Sequence, residues 1–156
     1  MSPYRTVNYL AYRVSVSTSA ARTYSHEAGT LADEATQLEI GGGPDHYDLL
    51  VPEIQAQAAR AGAAATRAEE ALDRCWAIAR KDVRGPVIRV TDGSHLLFAE
   101  DDDTRVAVAE NFKQAQAGRA EAHLALDIVK ALCAVVAGLG RPSRHGQVRK
   151  SACARS

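Results

Sequence analysis

Two long stretches of this chain repeat small or apolar residues every seven positions, and in the second more than half of the repeated residues are alanine. In the first, Val7, Val14, Ala21, Ala28 and Ala35 form one seam, and Leu10, Ser17, Tyr24, Leu31 and Leu38 form the seam beside it. In the second, Val51, Ala58, Ala65, Leu72 and Ala79 alternate with Ile54, Ala61, Ala68 and Cys75. A heptad repeat of this kind keeps one face of a helix turned toward another helix, so both stretches are expected to be long helices. Alanine narrows the outcome further. A buried methylene contributes about 0.8 kcal/mol, so a seam of methyl groups gains little per residue unless the backbones come close together.

Breaks in the pattern divide the chain. Gly41-Gly42-Gly43-Pro44 ends the first segment, and Gly85-Pro86 opens a second break that runs to about Glu100. Beyond it Asp101-Asp102-Asp103-Thr104 supplies N-cap candidates and negative charge where a helix N-terminus favours both. The third helix then runs to Gly138-Leu139-Gly140, with Pro142 beyond. In the second break VIRVT, Asp92-Gly93 and HLLF read as a β-hairpin, because Asp-Gly suits the positive φ angles of a primed turn.

The expected fold is therefore mainly α: an antiparallel bundle of three long helices over residues 1–140, with a small hairpin at about 86–100. An α+β alternative stays open. Leu10, Tyr12, Val14 and Val16 alternate over residues 9–17 and would share one strand face, letting that stretch join the hairpin as a third strand. Gly29 and Gly62 fall level if the first two helices fold back on each other, either to permit close backbone approach or merely as tolerated surface glycines. The apolar window over residues 124–140 contains Asp127 and Lys130 and reads as a buried helix end, not as a membrane span.

Charge is unevenly placed. The chain has 19 basic and 19 acidic residues, yet residues 141–156 carry Arg141, Arg144, Arg149, Lys150 and Arg155 and no acid. An acidic body thus carries a basic tail that is expected to be disordered. On the second helix Arg60, Arg67, Arg74 and Lys81 recur at heptad spacing. This stripe suits either a phosphate backbone or salt bridges to acids of the first helix, Glu27, Asp33 or Glu34.

Signatures of chemistry are sparse. Neither a Glu-x-x-His pair, a Gly-x-Ser-x-Gly elbow nor a P-loop lysine occurs, and Cys75, Cys133 and Cys153 have no metal-ligand spacing. Glu70 and Asp73 form a single i, i+3 carboxylate pair, which a pairing of Glu70 with Arg74 explains as well. No catalytic, cofactor-binding or metal-binding residue is assigned. The absence of an apolar N-terminal run and the odd cysteine count lead us to expect a cytoplasmic protein.

Three slender helices enclose little volume, so apolar stripes are expected to remain for copies of the same chain or for a helical partner. The leading functional expectation is a non-enzymatic interaction or assembly protein, with Asp92, Gly93, Ser94 and His95 as an exposed recognition tip. Two other readings follow from the charges: a nucleic-acid-binding accessory protein that uses the tail and the arginine stripe, and a metal-dependent hydrolase built around Glu70 and Asp73.

Overall fold

The computed structural model describes residues 7–40, 47–82, 98 and 101–139. They form three helices, α1 (Val7–Ile40), α2 (Tyr47–Asp82) and α3 (Asp102–Leu139). At about 1.5 Å per residue they are roughly 51–57 Å long. The hairpin expected at 86–100 and the tail at 141–156 lie outside the described residues; Phe98 is non-helical, and its side chain is buried against the core.

Side-chain pairs between the helices set their directions. Arg22 meets Glu69 and Thr36 meets Gln55, so α1 and α2 are antiparallel. Arg60 meets Glu121 and Arg74 meets Asn111, so α2 and α3 are antiparallel too. Glu27 with Lys130 and Arg13 with Phe112 then make α1 and α3 parallel. This is an up-down-up bundle in which each helix packs along both others.

Residues 9–17 are helical, which overturns the strand alternative. Helical winding buries Val7, Ala11, Val14, Ser17 and Thr18 together, whereas strand alternation would have buried Leu10, Tyr12, Val14 and Val16; Tyr12 is exposed. The core-facing period outweighs the modest helix propensity of the β-branched residues. Every residue of the first α1 seam is fully buried, from Val7 to Ala35. A matching seam runs along α3 through Val108, Ala115, Ala122, Val129 and Val136, all fully buried.

The helices are closest at mid-length. A Cβ placed on Gly118 would lie 2.6 Å from the Ala64 carbonyl oxygen and 3.2 Å from the Ala68 Cβ, so α3 crosses α2 at a distance that only glycine allows. From the other side the buried Thr18 hydroxyl sits 2.8 Å from the Val14 carbonyl and 3.1 Å from that of Ala68, and its single proton is shared between them. Ala21, Ala65, Ala115 and Ala122 complete this narrow waist. Larger side chains fill the ends: Leu72, Cys75 and Phe98 at one, and Leu31, Ile54, Val129 and Val136 at the other.

Gly29 and Gly62 do not mark the close approach. A Cβ on Gly29 would meet nothing within 4 Å, and one on Gly62 would only touch the Ser25 hydroxyl at 3.8 Å. They occupy α1 and α2 positions turned aside from the tightest crossing, which belongs to α2 and α3.

At the start of α3 the Asp101 carboxylate accepts a hydrogen bond of 2.8 Å from the Thr104 amide, and the Arg105 amide donates to the Asp101 carbonyl at 3.0 Å. These are the bonds of an N-cap. The Thr104 backbone bond, with its hydroxyl, holds the Asp101 carboxyl below the usual carboxylate range.

Candidate interaction face

The arginine stripe of α2 turns toward α3. Arg60 Nε lies 3.3 Å from Glu121 Oε1 and Arg67 Nη1 lies 3.0 Å from Glu121 Oε2, so one carboxylate receives two guanidinium groups. Arg74 Nε donates to Asn111 Oδ1 at 2.9 Å, and Asn111 Nδ2 donates back to the Ala107 carbonyl at 3.0 Å. Pairing with Glu27, Asp33 or Glu34 is thereby corrected: on α2, Arg60 and Arg67 lie on the side away from α1, and Glu27 pairs with Lys130 instead. One Glu34 oxygen is buried with no hydrogen-bond partner among the described residues. The expected Glu70–Arg74 pair also gives way, because Arg74 reaches across to buried Asn111.

Lys81 lies in the last turn of α2, and its side chain is not described. Arg141, Arg144, Arg149, Lys150 and Arg155 of the tail, and the tip formed by Asp92, Gly93, Ser94 and His95, fall outside the described residues. Among those described, no group of three His, Cys, Asp or Glu residues comes together to hold a metal ion, and no helix is long and apolar enough to cross a membrane. His26 and His123 are exposed; the His123 ring lies against Tyr24, with centroids 4.8 Å apart, and its Nδ1 lies 3.8 Å from Asp127.

Cys75 and Cys133 are buried free thiols. Burial pushes the Cys75 thiol up to about 11, against a smaller lowering by Arg74. A thiol held protonated is a poor nucleophile, so Cys75 serves as a small apolar side chain. On the outer side of α1, Tyr12, Ser15, Val16, Ser19 and Thr23 line an open depression. It is built from a single helix, and Tyr12 is its only ionisable lining group, so it lacks the convergent polar groups of a reactive centre.

What the bundle does offer is an uncovered apolar face. On α2, Leu49, Ala56 and Ala63 recur every seven residues and share the side that carries Arg60 and Arg67. On α3, Ala117, Leu124, Ile128, Ala131 and Val135 follow the same helical spacing as Glu121. The Arg60–Glu121–Arg67 group joins the two rows. Leu49 is 78% exposed, Leu124 50% and Val135 49%, so three of the five exposed large apolar side chains among the described residues stand on this face.

No family model, curated protein or solved structure matches the chain.

The sequence leads one to expect leftover apolar stripes without locating them, and the window over residues 124–140 reads there as a buried helix end. In the structure Leu126, Val129, Cys133 and Val136 turn inward, while Leu124 and Val135 turn outward. The signal was present in the sequence. A helix apolar on more than its core stripe has more than one face to cover.

Proposed function

We propose that this protein acts by non-enzymatic helix–helix association, assembling with copies of itself or with another helical chain. The supporting observation is the row of Leu124, Ile128, Ala131 and Val135 beside Leu49, Ala56 and Ala63, an apolar surface outside the core of a bundle whose core is already closed. Its alanines suit a partner helix, since small side chains let a second backbone lie close and gain dispersion contacts along its length.

The nucleic-acid alternative loses part of its support. Arg60 and Arg67 are engaged by Glu121, which lowers the free positive charge that a phosphate backbone would meet. The hydrolase alternative would need further carboxylates beside Glu70 and Asp73, and both of these point to solvent.

Light scattering on a size-exclusion column tests the proposal, for the full chain and for one ending at Gly140, in low and moderate salt. A defined multiple of the 16.7 kDa chain mass that salt and tail removal leave unchanged is the expected result. A monomer that carries nucleic acid absorbance removable by salt would transfer the function to the tail.

A further inference from the structure

Building on that reading, we infer that the α2–α3 face is a self-complementary dimer surface whose two-fold axis crosses both helices at the level of Arg60 and Leu124. The sequence spacing about that level is symmetric on each helix. On α3, Ala117 lies seven residues before Leu124 and Ala131 seven after, so antiparallel α3 helices bring Leu124 against its own copy and Ala117 against the second copy's Ala131. On α2, Glu53 lies seven residues before Arg60 and Arg67 seven after. The same axis therefore sets each Glu53 level with the other copy's Arg67, and Ala56 opposite Ala63.

Three independent properties fit a second copy. The first is level: the Arg60–Glu121 contact sets Arg60 within one helical turn of Leu124, so one axis can pass through both helices. Charge is the second. The axis brings Arg60 level with its own copy, where Glu121 already engages each guanidinium; Arg67, the second guanidinium on that carboxylate, comes level with the other copy's exposed Glu53, whose Oε1 accepts a bond from Gln57 within its own helix. The third is area. The part of the face that this axis maps onto itself, Ala117 to Ala131 beside Glu53 to Arg67, is about 21 Å long and roughly 19 Å wide and projects about 400 Å². Two such faces bury about 800 Å² or more, in the class of small, weak interfaces, so association is expected to depend on concentration. The product is a four-helix layer of two α2–α3 pairs, with each α1 on the outside.

The test uses the full chain carrying Cys153→Ser, so that the buried Cys75 and Cys133 are its only native thiols. Mass is measured by light scattering from low to high micromolar concentration, for this protein and for its Leu124→Arg variant, with helicity checked by circular dichroism. In parallel, Ala59→Cys on the outer side of α2 and Thr23→Cys on the outer side of α1 are exposed to a mild oxidant. The expected results are a mass that climbs toward twice 16.7 kDa, its loss in Leu124→Arg at unchanged helicity, and a covalent dimer from Ala59→Cys at least tenfold faster than from Thr23→Cys. A Leu124→Arg protein that keeps the dimer mass, or equal cross-linking at the two positions, overturns this interface and leaves self-assembly standing through another surface. A parent protein that stays at 16.7 kDa throughout overturns both the dimer and self-association.

Discussion

The waist and the outer α2–α3 face are made of the same material and stand in opposite circumstances. Ala64, Ala65, Ala68, Gly118 and Ala122 are buried where the helices cross; Ala56, Ala59, Ala63, Ala117 and Ala131 lie on the outward-facing surface of the same two helices. Small residues are useful in the first place because they permit close approach. In the second they contribute to stability only when another backbone arrives. Composition alone does not separate the two uses, since both rows are alanine at helical spacing.

Glycine substitutions break the comparison most sharply. Gly118→Leu forces a side chain into the space between its Cα and the Ala64 carbonyl, and a loss of about 3 kcal/mol is expected by chemical denaturation. Even Gly118→Ala is expected to destabilise, by roughly 1–2 kcal/mol, although its helix propensity favours it by about 1 kcal/mol. Gly29→Ala, which meets nothing within 4 Å, should instead stabilise by about 0.5–1 kcal/mol. Opposite signs at the two positions confirm where the helices are tight; equal gains would show that α2 and α3 can separate at no cost.

The waist hydroxyl comes next. Thr18→Val keeps the shape of the side chain and removes its donation to the Val14 and Ala68 carbonyls, with an expected loss of about 1 kcal/mol. On the outer face Leu124→Ala is expected to change the stability of the isolated chain by no more than about 0.5 kcal/mol at dilute concentration. Thermal unfolding of the two variants side by side would sharpen the contrast between a covered and an uncovered row.

Charge effects are smaller. Glu121→Gln leaves two guanidiniums facing a neutral amide, and because all three groups are partly exposed the expected cost is about 0.5 kcal/mol, diminishing with added salt. The smallest effect concerns Asp101. Its carboxyl is more acidic in the fold than in the unfolded chain, so its contribution is present above the ordinary value of 3.8 and is lost as pH falls through the lower folded value. Asp101→Ala should flatten that part of the acid-unfolding curve, and an unchanged curve would mean that the Thr104 cap does not hold in solution.

How much of this was legible depended on range. The number of helices, the boundary at Asp101 and the buried α1 seam from Val7 to Ala35 all follow from local spacing, and each agrees with the structure. The arginine stripe was legible as a stripe, but its partner was misassigned to α1. Spacing places Arg60, Arg67 and Arg74 on one side of α2 without saying which neighbour that side meets. The strand alternative over residues 9–17 had real local support in Val14 and Val16 and failed because burial along the whole of α1 favours one continuous helix.

Sequence by itself determined that three long helices would form and that alanine would line their seams, because period and propensity are properties of neighbouring residues. Only the tertiary structure decided that Gly118, and not Gly29 or Gly62, marks the crossing, that Glu121 collects Arg60 and Arg67, and that Leu124 and Val135 are left outside. The physical reason is geometric. A helix offers its residues all around its axis, and a bundle of three can cover only the sides that face inward, so the choice between core and surface is made by where the other two helices lie.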